Sequence, residues 1–257
     1  MCCPIPDPVA LVLGGTRGLG YHIAAELLKN KNVETRPIVV GRSRPEWPDE
    51  TMRRYVPVIQ ADLNDPASAE AIVEAAFNGD PEAFYWVAGE YHRGAFAEQD
   101  PAKIAHMLAT HVTGPLSVLQ AFHREAKRRR HPYTLVVIGS VFVHKPGRSH
   151  AMLAAAKAFK ANFARVFCHE LAADLPGSMT LLVNPWAMKT EFFDGYPMDA
   201  KAVAGFMDPA EVARIIVDQV ENLPRDSKPP MVELTLDRDK DKPGGILKLL
   251  GPQPVKY

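Results

Sequence analysis

Cysteine is scarce in this chain: Cys2, Cys3 and Cys168 are the only three in 257 residues. Three unevenly placed thiols cannot form a disulfide framework, which excludes a small stapled scaffold and points to a reducing compartment. A surplus of either charge is also missing. Thirty Lys and Arg balance thirty Asp and Glu, so composition gives no electrostatic reason to expect nucleic acid or an anionic membrane as partner. No run approaches the roughly 20 apolar residues of a membrane span. The opening "MCCPIPDP" lacks the charged and apolar regions of a signal peptide. Acylation of Cys2-Cys3 would be a single weak anchor without a basic patch beside it. The nine histidines show no ligand spacing with cysteine or carboxylate, so no metal site is expected. What these absences leave is a cytoplasmic protein whose partner is a small molecule.

An apolar content of 47% is enough for a sizeable core. Short β-rich runs begin at Val9, Pro37, Val56, Ala83, Tyr133, Met179 and Met231. Helical patterns lie between them at about 19–29, 66–77, 101–129, 150–173 and 209–221. The alternation predicts one α/β domain over 1–257, a doubly wound parallel sheet of about seven strands in a three-layer sandwich with helices on both faces. One extended stretch has no clear period: "WAMKTEFFDGYPMDAKAVAGFMD", 186–208, rich in aromatics and following the sixth strand. Ligands of open parallel sheets bind beyond the carboxyl ends of strands, so this stretch is expected to form a lid over a substrate.

"VLGGTRGLG" fills the first strand-to-helix turn, with Gly14, Gly18 and Gly20 in G-x-x-x-G-x-G spacing. Such glycines allow a tight turn and close approach of phosphate, and the helix that follows offers unpaired N–H groups to a pyrophosphate. The end of the second strand selects the dinucleotide. NAD sites usually place an acid there to hold the ribose hydroxyls, whereas this chain has "VVGRS". Arg42 and Ser43, with Arg17 in the glycine turn, suit the 2′-phosphate of NADP(H).

With these motifs the chain resembles the short-chain dehydrogenase/reductase family over nearly its whole length, which implies a Rossmann-like fold. The matching segments are "GGTRGLG", "ADLND", "VAG", "IGS", Lys157 and "NPWAMKT". The resemblance implies that Gly14, Thr16, Arg17, Gly18, Leu19 and Gly20 form the phosphate turn, that Asp62 and Leu63 contact adenine, and that Ala88 and Gly89 flank the ribose. It further implies that Lys157 holds the nicotinamide ribose, that Thr190 touches the carboxamide, and that Ser140 orients a substrate oxygen. A homodimer or homotetramer through the two long central helices is implied as well.

The catalytic positions depart from the family pattern. His111 stands where the family keeps asparagine, Leu153 where it keeps tyrosine, and Trp186 where it keeps glycine. Carbonyl reduction needs an acid for the developing alkoxide, and leucine supplies none. His150, Leu153 and Lys157 share one helical face, so His150 is a candidate replacement donor. A substrate that needs no acid, such as an iminium ion, is a second solution, with the Trp186 indole as a cation–π face and Glu90 as a carboxylate partner. Phe192 and Tyr196 complete the expected hydrophobic substrate wall. The leading expectation is an NADPH-dependent reductase of a preactivated C=N or a carbonyl in specialised metabolism. Fungal alkaloid-pathway relatives of the family resemble it in keeping the NADP site after losing tetrad residues. The alternatives are a redox-neutral cyclase on the same scaffold and a non-catalytic NADP sensor. The basic run "HREAKRRRHP" reads as helix-end charge, and Cys168 as a buried thiol.

Overall fold

In strand β1 (Pro8–Leu13), Ala10 and Val12 join the core on one side of the sheet, and Leu11 and Leu13 the core on the other. All four are fully buried. A strand apolar on both faces belongs inside a parallel sheet covered by helices, and the computed structural model has that architecture. It describes residues 7–29, 35–65, 67–145, 147–239 and 245–253; Cys2 and Cys3 lie outside them.

The strands are β2 (Arg36–Gly41), β3 (Val58–Gln60), β4 (Asp80–Trp86), β5 (Thr134–Ile138), β6 (Met179–Pro185), β7 (Met231–Arg238) and β8 (Ile246–Leu250). Their order is β3-β2-β1-β4-β5-β6-β7-β8. The seven expected strands are present and parallel. The expected count of about seven is corrected by β8, which pairs antiparallel with β7. This edge strand is half-exposed without clean alternation, so it carries little periodic signal. Strand order reverses between β1 and β4, and the crevice at their carboxyl ends is where such sheets bind ligands.

Helices α1 (Gly18–Lys29) and α8 (Pro209–Glu221) cover one face, burying Ile23, Leu27, Val212 and Ile216. The other face is covered by α3 (Ser68–Phe77), α5 (Gly114–Arg129) and α6 (Ala151–Asp174), which contribute Val73, Phe122 and Leu171. Asp-Pro pairs start both α4 (Pro101–Leu108) and α8: Asp100 and Asp208 accept from the N–H groups of Ala102 and Ala210, and proline takes the first helical position. Two short helices were not expected: α2 (Glu50–Tyr55), and α7 (Ala200–Ala204) within the stretch read as irregular.

The helix expected over 101–129 is interrupted. Between α4 and α5, Ala109–Thr113 form a π-turn. Pro115 has no N–H to give the His111 carbonyl four residues back, and the Trp86 indole N–H donates to that carbonyl instead, at 3.1 Å. The wider turn also lets Gly114 approach the loop after β3: a Cβ there would lie 2.3 Å from the Leu63 carbonyl oxygen. The basic end of α5 is paired, Arg128 and Arg129 with Glu125 at 2.5 and 2.6 Å and Lys127 with Asp174 at 2.6 Å. Cys168 is buried, with its thiol directed to the Arg165 carbonyl. Among the described residues no helix is long and apolar enough to cross a membrane.

Candidate active site

One cavity of about 700 Å³ opens along the carboxyl ends of the strands. Its nucleotide end is built by close approaches of backbone to backbone. A Cβ on Gly14 would lie 2.8 Å from the Ala88 backbone, and one on Gly20 2.1 Å from the Gly14 carbonyl oxygen. Glycine is therefore the only residue that lets β1, β4 and α1 meet at this point. Gly14 and Gly18 also take positive φ, 82° and 54°. The first turn of α1 carries no acidic residue, leaving a helix N-terminus suited to phosphate.

Thr16, Arg17, Leu19, Asp62, Leu63, Ala88 and Gly89 line this end. Arg42 lines it too, 3.3 Å from the His106 imidazole, whereas Ser43 is exposed and lies outside the lining. Glu90 is on the wall, but its carboxylate faces His106 at 3.5 Å. The structure thus couples Glu90 through His106 to Arg42, toward the nucleotide end.

At the other end Ser140 follows β5. Its hydroxyl oxygen accepts the Phe142 N–H, which leaves the O–H available to the cavity. Leu153 and Lys157 project from α6 beside it, and His150 immediately precedes the same helix, so the three residues expected on one face do share the cavity. Lys157 Nζ donates to the Ile138 carbonyl at 3.3 Å and lies 6.0 Å from the centroid of Phe192. Burial pushes its ammonium down to about 8. Thr190 lies at the glycine turn, where a Cβ on Gly18 would come within 3.5 Å of it.

His111 is not in the cavity. It is fully buried behind the wall, its Nε2 2.8 Å from the Glu90 carbonyl and 2.9 Å from the Glu90 N–H, and its ring fills the space a Cβ on Gly89 would take. Burial first, then Lys157 and Lys160, hold its basicity well below the ordinary histidine value. The catalytic place expected for His111 is accordingly corrected to a supporting one, under the Gly89-Glu90 turn.

The 186–208 segment overhangs this end and is pinned at its base by a bridge between Met188 and Met207. Trp186 and Phe192 line the cavity; Tyr196 stands behind Tyr91, ring centroids 4.9 Å apart. The guanidinium of Arg238 already lies over the Trp186 ring at 5.3 Å.

Two residues were not anticipated. Tyr91, two positions past Gly89, reaches the cavity and touches His150; the pairing joins residues 59 apart in sequence, which no local pattern reveals. Lys160 is fully buried, donating to the Trp86 and Ala88 carbonyls at 3.3 Å each, over the Trp86 ring. Burial and then Lys157 lower its pKa strongly. Its i, i+3 spacing from Lys157 was the available signal.

The sequence profile of the family described as short chain dehydrogenase matches residues 8–196. A comparison with curated proteins finds no match. Among solved structures, the chain is similar to an alcohol dehydrogenase from the archaeon Thermococcus sibiricus complexed with 5-hydroxy-NADP, at 22% identity and TM-score 0.73 over 92% of this chain and 98% of that one. It is also similar to a single-substitution variant of the actinorhodin polyketide ketoreductase with NADPH, at 20% identity and TM-score 0.73 over 88% and 95%. A third likeness is to a short-chain dehydrogenase from Sphingobium yanoikuyae in complex with NADPH, at 21% identity and TM-score 0.69 over 84% of each chain.

Proposed function

The chain belongs to the short-chain dehydrogenase family, and from that premise we propose that it is an NADPH-dependent reductase with an altered catalytic centre. Its substrate is a hydrophobic carbonyl or preactivated C=N compound of specialised metabolism. The observation that carries this reading is the continuity of one cavity from Arg42, at a strand end without an acid, past the glycine turn to Ser140 and Lys157. Three similar structures are complexes with NADPH or an NADP derivative, which supports the same cofactor.

In this reading Arg42 and Arg17 pair with the 2′-phosphate, and the α1 N-terminus takes the pyrophosphate. Lys157 and Thr190 hold the nicotinamide half. The bound reduced nicotinamide supplies hydride. Ser140 orients the acceptor oxygen or nitrogen, and Val141, Leu153, Met198 and Phe206 exclude water from the reacting atoms. Segment 186–208 acts as the lid. A cationic C=N substrate meets Lys157 and the Arg238-covered Trp186, so the local charge favours a neutral carbonyl. We further propose that copies pair through α5 and α6, where Phe159 and Val166 are exposed beside stacked Phe163 and Phe167; a sedimentation mass of one protomer would contradict this.

Fluorescence titration with NADPH and NADH tests the reading. Charged hydrogen bonds at Arg42, worth about 1.5–3 kcal/mol, predict at least about tenfold tighter binding of NADPH. Equal affinities, or no binding, contradict it. Substrate conversion without NADPH consumption is the result expected of a redox-neutral cyclase, and binding without conversion that of a sensor.

A further inference from the structure

Leu153 removes one hydroxyl from the cavity, and the fold brings another to it. Tyr91 and His150 both line the space that Ser140, Leu153 and Lys157 share. The Tyr91 hydroxyl lies 2.8 Å from His150 Nε2, and His150 Nδ1 lies 2.8 Å from the Arg148 carbonyl. We propose that Tyr91 and His150 form a proton-delivery pair in place of the missing tyrosine, which makes a neutral carbonyl the substrate class. The proposal rests on the reductase reading above.

The geometry assigns the protons. A carbonyl only accepts, so Nδ1 carries a hydrogen in every state of the ring. In neutral His150, Nε2 is therefore bare and accepts the Tyr91 O–H. In the imidazolium, Nε2–H donates to Tyr91 Oη, and the phenol proton turns to the cavity. Reduction uses this second state. With hydride on the carbonyl carbon and the π pair on oxygen, the oxygen takes the Tyr91 proton. Tyr91 then takes the Nε2 proton, and neutral His150 keeps its Nδ1–H on Arg148. Solvent restores the imidazolium. Carbonyl, NADPH and one proton give alcohol and NADP⁺, and alcohol oxidation runs the same pair backwards from neutral His150.

The surroundings hold the pair in place. The loop carrying Tyr91 is tied to the loop before α6 by the Gly94 N–H to Ser149 carbonyl bond at 2.9 Å. Ser149, next to His150, takes a φ of 65°, a strained conformation for a residue with a Cβ, of the kind that collects at functional sites. Gly147 has little room for a side chain: a Cβ would lie 3.1 Å from the Phe142 ring and 3.4 Å from His150 Nδ1. Tyr91 packs edge-on against Phe192, Phe193 and Tyr196 of the overhanging segment, at 5.7, 4.8 and 4.9 Å. Closure of that segment is thereby linked to the donor. Burial, and then Arg93 from the loop after β4, lower the His150 pKa, against the opposing pull of the Arg148 carbonyl. The Arg93 guanidinium also faces the Tyr91 hydroxyl as a hydrogen-bond donor, and Tyr196 packs against the Tyr91 ring.

The test compares wild type with Tyr91→Phe and His150→Asn on a cyclic ketone and a cyclic iminium ion. In Tyr91→Phe, kcat/KM for the ketone is expected to fall about 100-fold or more. Iminium reduction and the Kd for NADPH stay within about twofold, because neither uses the donor. Wild-type ketone reduction falls about tenfold per pH unit above the His150 pKa, and His150→Asn loses that dependence. In the cofactor-free protein, Tyr91→Phe lowers the His150 pKa measured by NMR, since the imidazolium loses a charge-assisted bond to Tyr91 Oη and the neutral ring only a weaker one. Wild-type ketone turnover by Tyr91→Phe, or an unchanged His150 pKa, overturns the proposal. A wild-type protein that reduces the iminium ion but no ketone overturns it and leaves the reductase reading standing. A wild-type protein that transfers hydride to neither class ends both.

Discussion

The two ends of the cavity are built by different means. At the nucleotide end the chain's own backbone sets the shape: Gly14 and Gly20 are required because a Cβ at either would enter neighbouring backbone. At the hydride end the shape comes from side chains on three separate segments, the loop after β4, the start of α6 and the 186–208 overhang, meeting as Tyr91, His150 and the Phe192-Phe193 pair. Contacts of backbone with backbone tolerate almost no substitution, whereas a proton donor is replaceable by any group that reaches the same place. The leucine at position 153 of α6 is therefore compatible with chemistry that a change in the glycine turn would end.

That contrast orders the expected effects of mutation. The largest belongs to Gly20→Val, whose Cβ would sit 2.1 Å from the Gly14 oxygen; NADPH affinity should fall by about 100-fold, ~2.8 kcal/mol, with a lowered Tm. Unchanged binding by titration would show that the turn does not hold phosphate. Next is Arg42→Asp, expected to lose about 1.5–3 kcal/mol of NADPH affinity while NADH binding holds or improves. Equal losses for the two cofactors would place Arg42 away from the 2′-phosphate.

At the hydride end, Leu153→Tyr in a Tyr91→Phe background should recover ketone reduction by about tenfold or more, because a hydroxyl returns to the α6 face beside Lys157. No recovery, with the protein folded by circular dichroism, would mean that the two positions are not interchangeable. The smallest effect is on stability. Lys160 has no carboxylate partner among the described residues, and burial lowers its pKa far below that of an unfolded lysine. Between those two values the unfolded chain binds the extra proton, so this lysine's contribution falls as pH drops and recovers as pH rises toward about 10.4. Lys160→Met should therefore gain about 0.5–2 kcal/mol at pH 7 in denaturant melts, with the gain shrinking as pH rises. A net loss would show that its bonds to the Trp86 and Ala88 carbonyls outweigh its burial.

The same contrast explains what was legible beforehand. Strands apolar on both faces, Asp-Pro helix starts and a glycine turn are local patterns, so the parallel sheet, most helices and the nucleotide end could be read from residues adjacent in sequence. Strand β8 was missed because an edge strand with one buried neighbour has no clear alternation. The π-turn needed two distant facts together, a proline that withholds an N–H and an indole on β4 that replaces it. His111 was read on one helix over 101–129 and stands instead in the π-turn that interrupts it, behind the cavity wall. Tyr91 carried no local signal, because its meaning depends on His150.

The most direct measurement of the central claim follows the hydride itself. Purified protein is incubated with NADPH deuterated at C4 and panels of hydrophobic cyclic ketones and iminium ions, and products are weighed by mass spectrometry. The account predicts a product carrying one deuterium at the former C=O or C=N carbon, formed one for one with NADP⁺. A product without deuterium, formed while NADPH is not consumed, would contradict it.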